Sequence, residues 1–265
     1  MICLSHSKKY SDLIRLNQFG NNRLLSLPDI FYSMDQNFRE TSFWGTVIVD
    51  NRDFIVPYIL FTALFFALLG IYGNSQLFLF VNRHYSDFGD FFFRYMTNLG
   101  DGIIAALLIV ILLWVSFRDA LTFLIITLLI TIIVNILKDH IFPELNRPVA
   151  YFGASEILHL IPGYDPPTLS TFPSGHTATA FSVGLYLSIL IKNRYLKLLL
   201  FVMAFLVGYS RMYISAHFPA DVVSGALIGV VITLCCYYLS RFFKSSWMDQ
   251  KIRYIPGFLI RQQIV

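Results

Sequence analysis

The chain is poor in charge. Asp, Glu, Lys and Arg make up 14% of its 265 residues, against the ~25% usual in soluble domains, while 56% are hydrophobic. That shortage excludes an ordinary soluble domain and points to a polytopic membrane protein. Cysteine is also scarce. Cys3, Cys235 and Cys236 form no disulfide framework, and no cysteine–histidine spacing suits zinc. Cys235 and Cys236 lie inside an apolar run and read as small buried hydrophobes. No early apolar core with a small-residue cleavage site marks a signal peptide. The net charge of +4 is modest, and no nucleic-acid partner is expected.

What the chain does have is a series of uncharged runs. Residues 54–73, 99–117, 120–137, 177–191, 195–209 and 222–239 read as six transmembrane helices. The fold class expected is therefore all-α, a polytopic membrane helical bundle. Residues 74–100 carry many aromatics together with Arg83, His84, Asp87, Asp90 and Arg94. They are too charged to span and too aromatic for a free loop, so interfacial helices on the outer side are expected there. Residues 138–172 are rich in proline and cannot form one continuous helix. Three segments follow: an N-terminal cytoplasmic tail of partly disordered character (1–53), a six-span domain (54–240) and a cytoplasmic C-terminal tail (241–265). Met34 offers a second start within the first of these.

Six spans put both tails on one side. Arg118, Lys192, Arg194, Lys197, Arg241, Lys244, Lys251, Arg253 and Arg261 fall on that side, and the N-terminal tail adds six more basic residues. Only Arg83, Arg94, Lys138, Arg147 and Arg211 fall on the other. The positive-inside rule then makes the tails cytoplasmic. The protein is expected in the inner (cytoplasmic) membrane, with its polar clusters facing the periplasm or exterior. Gly225 and Gly229 form a small-xxx-small pair in the sixth run, a pattern of close helix packing.

Three polar clusters end up on the outer face. The first is Lys138 with Arg147-Pro148, the second Pro173-Ser174-Gly175-His176, and the third Ser210-Arg211, His217 and Asp221. Each cation alone reads as a snorkelling side chain. Three of them beside histidines and turn formers suggest a shared anion, with arginine suited to bidentate phosphate contacts and lysine to a point charge. Ser174 and Gly175 open a helix whose N-terminus favours an anion, although Ser174 also suits a plain N-cap. His217 and Asp221 are four apart, so the carboxylate can orient the imidazole as in a triad, or serve only as a structural hydrogen bond. No acidic metal-binding set is visible, and the three fixed cations take its place. Together these parts meet the needs of phosphoryl transfer through a phosphohistidine. Glu156, His159 and Asp165 read as solvated loop.

Pro173-Ser174-Gly175-His176 and Ser210-Arg211-x5-His217-x3-Asp221 resemble the second and third motifs of the type 2 phosphatidic acid phosphatase superfamily. Lys138 and Arg147-Pro148 resemble the first, with eight residues between lysine and arginine where the family usually has six. The resemblance covers about residues 54–240. It implies His217 as nucleophile, oriented by Asp221, and His176 as general acid to the leaving group. It implies Lys138, Arg147, Ser174, Gly175 and Arg211 as phosphate ligands, with no metal and no cofactor. The implied substrate is a membrane lipid phosphate such as lipid A, undecaprenyl pyrophosphate or phosphatidylglycerophosphate. A phosphotransferase with a hydroxyl acceptor shares the same first half-reaction. A lipid transporter is the third reading, disfavoured because charges sit at span ends rather than at the midplane.

Overall fold

The computed structural model describes residues 43–153 and 158–243. Glu156, the N-terminal tail ahead of residue 43 and the C-terminal tail beyond residue 243 lie outside the described residues. The chain divides into two units, Met1–Val49 and Asp50–Val265. The described part of the first lies in helix α1 (Phe43–Asp50). The second unit contains α2 (Arg52–Arg83), α3 (Asp87–Met96), a 3₁₀ turn (Thr97–Gly100), α4 (Gly102–Val115) and α5 (Phe117–Ile136). It continues with a π turn (Leu137–Ile141), α6 (Pro148–Phe152), α7 (Gly175–Leu190), α8 (Arg194–Tyr213) and α9 (Pro219–Ser240).

All regular structure among the described residues is helical, as the apolar runs predict. Each of the six runs has its helix. Among the described residues, four helices are long and apolar enough to cross a membrane: α2, α5 with its π turn, α8 and α9. The pair Asp87–Gly100 and Gly102–Val115, bent by 51°, raises that number to five at most. Helix α7 covers the fourth run with 16 residues, a length of about 24 Å.

Residues 74–100 are largely helical, as expected of them. Helix α2 breaks at Gly73 (φ 74°, ψ 168°) and resumes as a second helical stretch up to Arg83. Two asparagines fasten that stretch to the start of α9 and the turn before it. The Asn74 side chain accepts from Ala220 N at 3.0 Å. The buried Asn82 amide donates to Tyr213 O and Ser215 Oγ at 3.2 and 3.0 Å.

Helix α7 is the centre of the unit. Ten of its 16 residues are buried, and it packs against α4, α5, α8 and α9. A helix apolar on all sides is a core helix. Phe54, Phe61, Phe181 and Phe201 pack edge-on and stacked along its α2 and α8 sides. Its polar side chains are paired: Thr233 Oγ1 donates to Ser182 Oγ at 2.9 Å, and Ser188 Oγ to Asn51 Oδ1 at 3.0 Å.

The ends of the helices carry different chemistry. At one end, Arg118 and Lys197 are buried, although their charges read from sequence as cytoplasmic loop charges. Arg118 donates to Ser240 O and Phe243 O, at 2.6 Å each, and so satisfies carbonyls at the C-terminus of α9. Lys197 donates to Asp50 O and Asn51 Oδ1 at 2.6 and 2.8 Å. Lys138, Ser174, Arg211 and Asp221 occupy the opposite ends of α5, α7, α8 and α9. Cys236 is buried, but Cys235 is exposed, so only one of the pair is a buried hydrophobe.

Helices α7 and α9 come together backbone to backbone. A Cβ on Gly225 would lie 2.4 Å from Ser174 O, and one on Gly229 would lie 2.3 Å from Ala178 O. Only glycine permits that approach, which is the small-xxx-small pattern in use. Gly229→Ala should therefore destabilise the protein by about 1–3 kcal/mol, seen as a lower Tm in detergent. Gly102→Ala, where a Cβ would meet nothing within 4 Å, should leave Tm unchanged.

Candidate active site

The turn between α8 and α9 is tight. Ala216 N and His217 N both donate to Arg211 O at 3.0 Å, and Ser215 sits at φ 57°. A serine held in the left-handed region needs support from its surroundings, here the Asn82 side chain. Pro219 occupies the first position of α9, where its missing N–H costs nothing. The result is a rigid presentation of His217, which is buried.

Both ring nitrogens of His217 have partners. Nδ1 lies 3.3 Å from Asp221 Oδ2 and 3.4 Å from Thr171 Oγ1. Nε2 faces Arg147 Nη1 at 3.4 Å. Since arginine can only donate, Nε2 is the acceptor and Nδ1 carries the proton. The Asp221 carboxylate also accepts from the Thr171 hydroxyl and from Phe218 N, the latter at 2.9 Å. Burial, then the charges of Arg211, Arg147 and Lys138, push the His217 imidazole well below its ordinary value. It is neutral at physiological pH, with its Nε2 lone pair exposed toward the cations.

The cations converge from three elements. Arg147, the residue ahead of α6, is buried and donates to Leu169 O at 2.8 Å and Ala216 O at 3.1 Å. Arg211, in the last turn of α8, is buried and donates to Thr97 Oγ1 at 2.6 Å. Its Nε is buried with no hydrogen-bond partner among the described residues. A buried guanidinium N–H without a protein partner is suited to an anion. Lys138 sits in the π turn, with Arg147, Arg211 and Asp221 within electrostatic reach. The π turn takes up an extra residue, closing with a bond from Phe142 N to Leu137 O at 2.8 Å. The remainder of the long Lys138–Arg147 spacing forms the loop leading to Arg147, which Thr171 N fastens through Leu145 O at 3.1 Å.

Ser174 is the N-cap of α7. Its Oγ accepts from Thr177 N at 3.4 Å and from Thr177 Oγ1 at 2.9 Å. The capping reading of Ser174 is thus realised, and because both bonds are accepted, its own hydroxyl proton is not used by them. Ser174 N donates to Asp221 O at 3.0 Å, tying the second cluster directly to the third. A Cβ on Gly175 would meet no protein atom nearer than 3.6 Å, so nothing inside the fold requires glycine there.

His176 is half-buried, and its Nε2 lies 2.7 Å from Asp101 Oδ1. Nothing in the sequence marks Asp101 or Thr97 as site residues. Thr171 was visible only as a neighbour of the second motif, and the other two lie within or beside the aromatic stretch. Asp90 and Arg94 have structural partners: Asp90 bonds His159 Nε2 at 2.8 Å and Tyr213 OH at 2.6 Å, and Arg94 donates to Pro162 O and Gly163 O. His159, half-buried and stacked on Tyr85, is therefore part of a folded network rather than a solvated loop residue.

Comparisons with known proteins agree with this geometry. Residues 119–245 match the family model of the PAP2 superfamily. A lipid A 4'-phosphatase of Bacteroides thetaiotaomicron is 28% identical over 167 residues, 59% of this chain and 72% of that protein. An undecaprenyl-diphosphatase of Sulfolobus acidocaldarius is 30% identical over 129 residues, 49% of this chain and 57% of that protein. The crystal structure of Aquifex aeolicus LpxE superposes with a TM-score of 0.56 at 32% identity, covering 62% of this chain and 94% of that one. With spans of this length and relatives of this kind, the chain is a multi-pass membrane protein. The motifs, their convergence on one end of the bundle and these likenesses together place it in the PAP2 superfamily of phosphatases.

Proposed function

We propose that the chain is a metal-independent lipid phosphatase of the inner membrane that works through a phosphohistidine on His217, with its site facing the periplasm or exterior. The observation that carries the reading is the arrangement around His217: Nδ1 held by Asp221, Nε2 turned to Arg147. An imidazole so oriented presents its lone pair where a phosphorus held by Lys138, Arg147 and Arg211 would sit.

The steps balance as follows. His217 Nε2 attacks phosphorus as the bond to the leaving oxygen breaks, and His176 gives that oxygen its proton. Asp221 stabilises the positive charge that develops on the His217 ring. Water then attacks the phosphorus and surrenders a proton to His176. The P–N bond breaks, inorganic phosphate leaves, and both histidines return to their starting states. The free N–H groups at the start of α7, the Ser174 hydroxyl and the space at Gly175 complete an anion cradle.

The substrate class proposed is a phosphomonoester or pyrophosphate of a membrane lipid: lipid A, undecaprenyl pyrophosphate or a glycerophospholipid. The relatives that act on lipid A and undecaprenyl diphosphate support it. Six spans with both tails cytoplasmic fit the one-ended distribution of the motifs. The exposed Phe88, Phe91 and Tyr95 on one face of α3 support an interfacial placement for that helix, beside a substrate arriving from the bilayer.

Three outcomes check this reading. His217→Ala should lower phosphate release from a panel of lipid A, undecaprenyl pyrophosphate, phosphatidylglycerophosphate and phosphatidate by at least ~10³-fold, about 4 kcal/mol of barrier. Wild-type turnover should persist in EDTA, and its abolition would contradict the metal-free mechanism. The pH profile follows from the lowered value of His217, whose neutral form is the nucleophile. Activity should hold as pH falls through the ordinary histidine value of about 6.5 and be lost only below it. An acid limb at or above 6.5 would contradict that assignment.

A further inference from the structure

The 3₁₀ turn Thr97–Gly100 and the residue after it lie against the catalytic motifs, outside residues 119–245 that the family model matches. Thr97 receives the Arg211 guanidinium. Gly100 presses on the start of α7: a Cβ there would lie 2.7 Å from His176 O and 2.9 Å from His176 Cβ. Only glycine lets the chain pass so close. The next residue, Asp101, is then delivered to the His176 ring, with Oδ1 at 2.7 Å from Nε2.

Asp101 is also the N-cap of α4. Aspartate is among the best N-cap residues because its carboxylate accepts from the first free N–H groups of its helix. Here the side chain makes no such bond. It reaches across to His176 instead, a choice the local sequence does not favour.

The need for it comes from the surroundings of His176. Lys138 from the π turn, Arg147 from the loop ahead of α6, Arg211 from α8 and His217 from the following turn all face this ring. Partial burial, then the charges of Arg211, Lys138 and Arg147, push the His176 imidazole below its ordinary value. A general acid must hold a proton until the leaving oxygen takes it. The anion facing the ring at bonding distance is Asp101.

We infer that Asp101 is the positioning residue for the general acid, holding His176 Nε2–H and stabilising its imidazolium among the cations of the phosphate site. The inference rests on the lipid phosphatase reading above. With Nε2–H held by the carboxylate, the proton transferred to the leaving oxygen is the one on Nδ1. It moves as the P–O bond breaks, and Asp101 stays ionised throughout. Asp101 thus stands to His176 as Asp221 stands to His217, from a part of the chain far from any motif.

The test varies the leaving group. Full-length wild type and Asp101→Asn, purified in detergent, are assayed on phosphatidate and on p-nitrophenyl phosphate. An alkoxide leaving group needs the proton and a nitrophenolate does not. Asp101→Asn should lose about 10- to 100-fold in kcat on phosphatidate, less than the ~10²–10⁴ that a whole general acid contributes, because His176 itself remains. It should stay within about threefold of wild type on the aryl ester, which also shows that the variant is folded. The alkaline limb of kcat on phosphatidate should move to lower pH, because the imidazolium loses its carboxylate. Equal losses on both substrates, or no loss on phosphatidate, would overturn the inference while leaving the phosphatase reading standing. A wild type that releases phosphate from neither substrate, nor from the other lipids of the panel above, would sink both.

Discussion

Asp221 is bonded through both its main chain and its side chain, and the active end of the molecule depends on those bonds. Its main-chain carbonyl accepts from Ser174, and its carboxylate accepts from Thr171, Phe218 and His217. One residue therefore joins the start of α7, the start of α9 and the loop between α6 and α7. Buried carboxylates are costly unless hydrogen-bonded, and here three donors converge on Oδ2 of Asp221. The approach of α9 to α7 makes this possible, because glycine at 225 and 229 leaves room for Ser174 O and Ala178 O. The helix packing and the site are the same construction.

The two ends of the bundle use basic residues in opposite ways. Arg118 and Lys197 donate to carbonyl and amide oxygens, so they close helix ends. Arg211 keeps an N–H without a partner among the described residues, and Arg147 points one guanidinium nitrogen at the lone pair of His217. The three cations lie within electrostatic reach of one another, and a bound anion would relieve the repulsion among them. Apolar surroundings sharpen the effect by removing water that would otherwise screen the charges. The fold thus invests its electrostatic tension where a phosphate would release it.

How much of this was legible in the sequence varies with the kind of residue. Ser174, His176, Arg211, His217 and Asp221 stand in short fixed spacings at the ends of apolar runs, and their convergence follows once each run is a helix. The small-xxx-small pair was legible for the same reason: it lies on one face of one helix. Thr97 and Asp101 were not, because their partners Arg211 and His176 are more than 70 residues away and nothing local marks them. Asn82 hid among charged neighbours that made its segment look interfacial, while its amide is buried under the α8–α9 turn. For Arg118 and Lys197 the burial was hidden: a basic residue near a span end reads the same in sequence whether it meets water or caps a buried helix terminus. The long Lys138–Arg147 spacing is shared between a π turn, a local insertion that helix periodicity does not register, and the loop after it.

The central claim is that His217 becomes covalently phosphorylated through Nε2. Its most direct measurement is to quench wild-type protein with base during turnover of a lipid phosphate and locate the phosphoryl group by mass spectrometry. The account predicts a base-stable, acid-labile phosphoramidate on Nε2 of His217, gained and lost with substrate. Steady turnover with no phosphorylated His217, or a phosphoryl group on any other residue, would contradict it.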